Sequence, residues 1–290
     1  MRALIRYTVA ILFFLIVSAP VMGGGPWPQK KGHGYYKLFQ YWVIADKHYT
    51  DTGETDPNVT TGYFSTSLYA EYGISGRLTG VVYFPFFART YYNNTISATT
   101  GEEIIPGDDL NSVGDIDLSL TYGLLVNKPI AMSATLLLGI PSGKTDGGEL
   151  ETLQTGDGEF NQMIRLDVGK GFTVNKVNMY TSAYAGFNNR TNGYSDEFRY
   201  GFEAGATFCN SKLTGIARFI GIASFQNGTA TAASDGASLF SNNVEYLTFS
   251  PELAYHFNEN WGVSVNYNTV FFGKLIMANP AYSVGIFLQI

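Results

Sequence analysis

The stretch from Gly114 to Gly143 reads GDIDLSLTYGLLVNKPIAMSATLLLGIPSG, and it admits few folds. Ile116, Leu118, Leu120, Tyr122 and Leu124 alternate with Asp115, Asp117, Ser119, Thr121 and Gly123. Side chains on a β-strand point to opposite faces in turn, so this segment is a strand with one apolar and one polar face. Asn127-Lys128-Pro129 breaks the run. A second strand then returns, with Met132, Ala134, Leu136, Leu138 and Ile140 on one side and Ser133, Thr135 and Gly139 on the other. A hairpin with two-sided arms follows.

The pattern recurs along the chain. Besides residues 115–124 and 132–140, strands are expected at 35–45, 63–74, 78–91, 158–168, 177–187, 198–208, 213–225, 245–257, 261–272 and 281–290. Pro85 interrupts the third, which a central strand tolerates only at a bulge. Connections alternate in length. Short turns fall near Gly76, Lys128, Gly171, Ser211 and Glu259, and polar loops cover 46–58, 92–112, 141–157, 188–195, 226–243 and 273–280. Strands of about ten residues, an even strand count and alternating short and long connections describe a bacterial outer-membrane barrel. The expectation is an all-β chain, a transmembrane antiparallel up-and-down β-barrel of about twelve strands.

The first residues give a destination. Arg2 and Arg6 precede an apolar run from Thr8 to Val17, and Val21-Met22-Gly23 ends in residues suited to cleavage. This is the layout of a secretory signal peptide, so residues 1–23 are read as the signal and 24–290 as the barrel. Loss of the two arginines moves the net charge from −6 to about −8. Charged residues are only 14 %, well under the usual quarter, yet no later apolar run reaches the ~18 residues of a membrane helix. A chain this poor in charge and rich in aromatics and glycine suits lipid contact through strands.

Alternation alone does not say which face meets lipid. A soluble barrel would turn the leucines inward. Twelve strands enclose more space than side chains fill, so an apolar interior would leave a void. Aromatics gather at strand ends, with Tyr35, Tyr36, Phe172, Phe208, Phe257 and Trp261 near short turns and Tyr91, Tyr92, Phe271 and Phe272 near long loops. Such girdles mark the two membrane interfaces. With the polar face inward, Glu71, Asp115, Asp117, Arg165, Asp167, Arg199, Glu203 and Glu252 become the candidate lumen-lining residues. Charges there can set the field that selects solutes, or can form a structural ladder of ion pairs. Arg218 shares a face with Ile216, Ile220 and Ile222, a mixed wall suited to an amphipathic solute. Tyr282, Val284, Ile286, Leu288 and Ile290 form an apolar terminal strand of the kind that barrel-assembly machinery reads, although Ile stands where Phe is usual.

Chemistry beyond this is sparse. His33, His48 and His256 have no metal-ligand spacing among themselves or with Cys209, so no metal, cofactor or catalytic residue is expected. An outer-membrane hydrolase would need Ser250 near His256. They lie six residues apart on one strand, roughly 20 Å, too far for a nucleophile and its base. Acidic residues crowd the long loops, among them Asp51, Glu102, Asp108, Asp146 and Glu149, either as ordinary solvated loops or, if they face outward, to hold divalent cations among lipopolysaccharide. Nothing resembles a nucleic-acid interface. The segment 24–34 is expected to be too short to fill the barrel alone.

Ser112-Val113-Gly114-Asp115-Ile116-Asp117-Leu118, then Pro129, then Gly139-Ile140-Pro141-Ser142-Gly143, Gly156-Asp157-Gly158 and Val168-Gly169-Lys170-Gly171-Phe172 resemble the outer-membrane barrels of the "MetA-pathway of phenol degradation" family. The resemblance covers roughly residues 114–221. Lys144 follows Pro141-Ser142-Gly143 where the family usually shows Pro-Thr-Gly-Asp. It implies a transporter of aromatic or other hydrophobic compounds and carries no ligand residue onto this chain. The expected function is therefore passive passage of small solutes, hydrophobic or aromatic ones among them, through a bacterial outer membrane, without enzymatic activity. The alternatives are a closed structural or surface-interaction barrel and, third, the hydrolase.

Overall fold

The computed structural model describes residues 25–97, 99–230 and 239–290. Its strands run in order β1 (Gly34–Tyr49), β2 (Thr55–Gly73), β3 (Leu78–Tyr92), the short β4 (Thr95–Ile96), β5 (Glu103–Ile105) and β6 (Asp108–Ser112), then β7 (Ile116–Leu125), β8 (Ala131–Ile140), β9 (Asn161–Val174) and β10 (Val177–Asn189). They continue with β11 (Glu197–Phe208), β12 (Leu213–Ser224), β13 (Glu245–His256), β14 (Trp261–Lys274), the short β15 (Ile276–Met277) and β16 (Ala281–Gln289). Among the described residues there is no helix.

Twelve of these strands form one closed antiparallel barrel. Each pairs with its neighbour in sequence, and β1 pairs both β2 and β16. The seam runs in register from Tyr35 opposite Gln289 to Val43 opposite Ala281. Gly34 and Ile290 complete it by exchanging backbone hydrogen bonds of 3.0 and 2.9 Å. Closure leaves no unpaired edge, the condition for strands to cross hydrocarbon.

The two faces sort as the alternation requires. Leu118, Leu120 and Tyr122 are 39–49 % exposed on the outside, and Ile164 and Leu166 are 65 % and 54 % exposed. Ser65, Ser67 and Ser133 are fully buried on the inside. Each outward aliphatic would forgo ~1.5–3 kcal/mol if left in water, so the exterior is a lipid surface. Short connections cluster at one end. Asn175 and Lys176 join β9 to β10 with φ of 48° and 69°, the mirror-image turn whose twist matches paired strands.

Two loop expectations change, and the short turn expected near Gly171 lies instead at Asn175–Lys176 because β9 runs on to Val174. Residues 46–58 are mostly strand, because β1 and β2 continue past a bulge at Ala45/Lys47 and pair His48 with Asp56. Their polar sequence is compatible because that end of the hairpin stands above the apolar band. Within 92–112, β4 pairs β5, and β6 pairs the end of β3. Pro85 marks the place where β3 changes partner from β7 to β6, and its carbonyl accepts from Gly114 N at 2.8 Å. The signal-peptide reading lies outside the described residues.

Candidate functional site

The candidate site is the lumen, built in three levels. At the short-turn end, residues 25–32 run along the inner wall. Gly32 N donates to Gly73 O at 2.8 Å on β2, Gln29 N donates to Thr79 Oγ1 at 2.8 Å on β3, and Ser133 Oγ donates to Gly25 O at 3.0 Å on β8. The Trp27 ring meets Tyr180 of β10 edge-on at 5.7 Å. The backbone approach demands glycine at two places. A Cβ at Gly73 would strike Lys30 O, and one at Gly169 would lie 2.6 Å from both the Pro26 and Trp27 rings. The segment thus lies in the lower lumen against β2, β3, β8, β9 and β10.

An ion ladder covers another part of the wall. Tyr180 OH donates to Glu203 at 2.6 Å, and Arg218 joins Glu203 to Glu252, the latter at 2.6 Å. Lys37 reaches past β16 and β14 to Glu252 at 2.9 Å. The chain of contacts therefore runs from β10 round to β1. Its partners all lie on inward positions of neighbouring strands, where the low dielectric strengthens each pair and makes a missing partner expensive.

Above this floor lies a cavity of about 140 Å³, lined by Trp27, Glu71, Tyr83, Asp117 and Arg165 among others. Glu71 is held from two sides, by Gln29 Nε2 at 2.9 Å and Tyr69 OH at 2.5 Å. Arg165 pairs with Asp167 at 2.9 Å and lies over the Tyr184 ring at 5.0 Å. Arg199 pairs with Glu197 at 2.7 Å. Gly186 sits in register between Arg165 and Arg199, so the two guanidiniums flank a position with no side chain.

The long-loop end forms a mouth. Asp115 is a loop anchor: it accepts Gly143 N at 2.8 Å and Asp157 N at 3.0 Å, tying the 141–160 connection to the rim. Burial, working against these donors, pushes its carboxyl up to about 6. Arg190 gathers Asp157, Glu159 and Glu197 at 3.0, 2.6 and 2.9 Å and lies over the Tyr194 ring at 4.4 Å. Asp196, nearby and exposed, is held below the usual carboxylate range by the Asn227 amide.

All eight residues singled out from the sequence therefore fall on the inner wall or rim, but Asp115 serves a loop and the others are mostly paired. Sequence reasoning missed Lys37, Tyr180, Glu197, Arg190 and the N-terminal segment. Lys37 was visible as a charge on the face of Phe39 and Tyr41, opposite Leu38 and Ile44. Arg190 and Glu159 sit in connections, where period-2 reasoning has no purchase. Ser250 Oγ accepts from Asn266 Nδ2 at 2.8 Å, and His256 packs edge-on against Phe287, so the two are not brought together.

No protein-family model matches the chain, and no curated protein gives a significant match. Among solved structures it is similar to a COG4313 outer membrane channel from Pseudomonas putida F1, with 12 % identity, 93 % of this chain and 100 % of that one covered, and a TM-score of 0.58. A NanC porin (8 % identity, 88 % and 100 % covered, TM-score 0.49) and a KdgM porin in complex with disordered oligogalacturonate (9 %, 88 % and 99 %, 0.47) are also similar. At such identities the likeness concerns the fold, and the fold is that of an outer-membrane β-barrel.

Proposed function

We propose that this chain is a channel-type barrel of the bacterial outer membrane that passes small solutes by diffusion. The observation that carries the reading is the pairing of a lipid-type exterior with a polar, charged interior that holds a cavity of about 140 Å³. Solute pockets run to ~300–1,000 Å³, so passage requires residues 25–32 to shift. Lumen width and wall charge then select the solute. The sequence resemblance to the phenol-degradation barrels supports hydrophobic or aromatic compounds as cargo. Glu71, Asp117, Arg165, Asp167, Arg199, Glu203 and Glu252 are the wall charges that a solute would pass. Secretion with cleavage near Gly23, delivery by the barrel-assembly machinery and contact with lipopolysaccharide belong to the same reading.

The test is single-channel conductance in a planar bilayer. Stable steps support the pore. Silence from a folded, heat-modifiable barrel would leave the closed structural barrel, which the segment in the lower lumen favours, as the better account.

A further inference from the structure

The inner wall carries charged and polar groups along most of its height, with apolar patches around Tyr35, Ala254 and Phe287 near the short-turn end and a larger one at the mouth. Val43, Ala45, Tyr63, Ala88, Met277 and Ala281 form a buried apolar cluster there. Their placement follows from register. Ala281, Val43 and Tyr63 lie side by side across β16, β1 and β2, and Ala88 lies beside Ser65 one step lower. The patch therefore faces the lumen, away from lipid. Three alanines and a valine leave a shallow nest. The ring that fills it comes from elsewhere. Phe240, in the connection from β12 to β13, meets Tyr63 edge-on at 6.0 Å, and Leu239 packs beside it. β2 lies four strands round the barrel from β13, so residues 239–244 reach across the mouth to deliver the ring.

We propose that this nest is a binding site for small uncharged aromatic or alkyl solutes entering from the long-loop side, with Phe240 as the chain's own displaceable occupant. The proposal rests on the reading that small solutes enter this lumen, and it names their first station. An apolar patch on a wet wall is unfavourable unless covered, and a covering ring shows which shape and chemistry the nest accepts. The loop is pinned close to the ring. Ser195 N donates to Asn242 Oδ1 at 2.9 Å, and Asn242 Nδ2 donates to Ala230 O at 2.7 Å. Phe240 can thus leave by side-chain rotation while the loop stays fastened. Next to the patch, His48 is paired in register with Met277, and its buried Nδ1 has no hydrogen-bond partner.

The experiment is fluorine NMR of 4-fluorobenzyl alcohol added to the barrel in lipid nanodiscs, against empty nanodiscs. Saturable line broadening is expected. Phe240→Ala removes the internal competitor and should tighten binding by roughly tenfold or more. Phe240→Trp keeps the nest filled and should weaken it. Ala88→Phe, checked for heat-modifiable migration, should abolish it. Equal affinity across the Phe240 variants, or broadening no greater than that of empty nanodiscs, would overturn the site. Conductance is recorded on the same preparations. Steps without saturable binding sink the site and leave the channel, whereas saturable binding without steps keeps the site and removes the channel.

Discussion

Gln29 is the polar anchor of the segment that runs through the lower lumen, and removing its side chain tests whether that segment gates the barrel. Its amide donates to the Glu71 carboxylate at 2.9 Å inside the wall. A hydrogen bond to a charged group is worth about 1.5–3 kcal/mol. Taking about 2 kcal/mol, Gln29→Ala shifts the balance between seated and released segment by roughly 30-fold, since each 1.4 kcal/mol is a factor of ten. Tyr69 still donates to Glu71, so the carboxylate keeps one partner and the barrel wall keeps its fold. The assay is the fraction of time a single barrel spends in its high-conductance state. Native barrels should open rarely, Gln29→Ala barrels roughly 30-fold more often, and barrels lacking residues 25–31 should stay open with a larger step. Identical occupancy and step size in all three would refute the gating role and show that the segment merely lines a lumen closed by other means.

Removing Arg218 leaves Glu203 with the Tyr180 hydroxyl and no cation, and Glu252 with Lys37 alone. Breaking a buried pair costs about 3–5 kcal/mol, discounted here because Arg218 and Glu203 are about a quarter exposed. Arg218→Met should thus lower the urea midpoint of the heat-modifiable band, and Glu203→Gln in the same chain should restore part of it. Lys37, Arg165, Arg199 and Arg218 face Glu71, Asp117, Asp167, Glu197, Glu203 and Glu252, an excess of two carboxylates. Reversal potentials in a salt gradient should therefore report cation preference. That preference should grow as pH rises through about 6, because Asp115 then gains its charge at the mouth, and Asp115→Asn should shrink this pH step. Arg190→Met removes the ion pairs between the 141–160 and 190–196 connections and leaves them joined only by hydrogen bonds such as Phe160 N to Thr191 Oγ1, so protease added from the long-loop side should cut there first while the strands survive.

The barrel wall was legible because lipid and lumen impose opposite demands on alternate residues. Ile164, Leu166 and Val168 against Met163, Arg165 and Asp167 can be read off the chain, and they stand as that reading requires. The upper parts of β1 and β2 were not legible, because both faces there meet polar surroundings and the alternation fades. Nor was the path of residues 25–32. Pro26, Trp27 and Pro28 look like an ordinary leader in sequence, and only the pairing of Gly73 and Gly169 with that path reveals a fitted groove. An ion ladder was expected on this face, but its individual pairings escaped for a related reason. Periodicity gives the face of Glu203, Arg218 and Glu252, while their mutual reach depends on the stagger of β11, β12 and β13.

The seam between β1 and β16 makes the cylinder an all-or-nothing object. A chain stopped short of Ala281 would present two raw edges, one on β1 and one on β14, each a row of unpaired amides in oil. Such a chain has no stable resting place in the membrane. Lys37, which reaches over the seam to Glu252, draws shut only when both lips are present. Completeness of the polypeptide is therefore inspected by the geometry of closure itself, since a copy without β16 cannot close this cylinder.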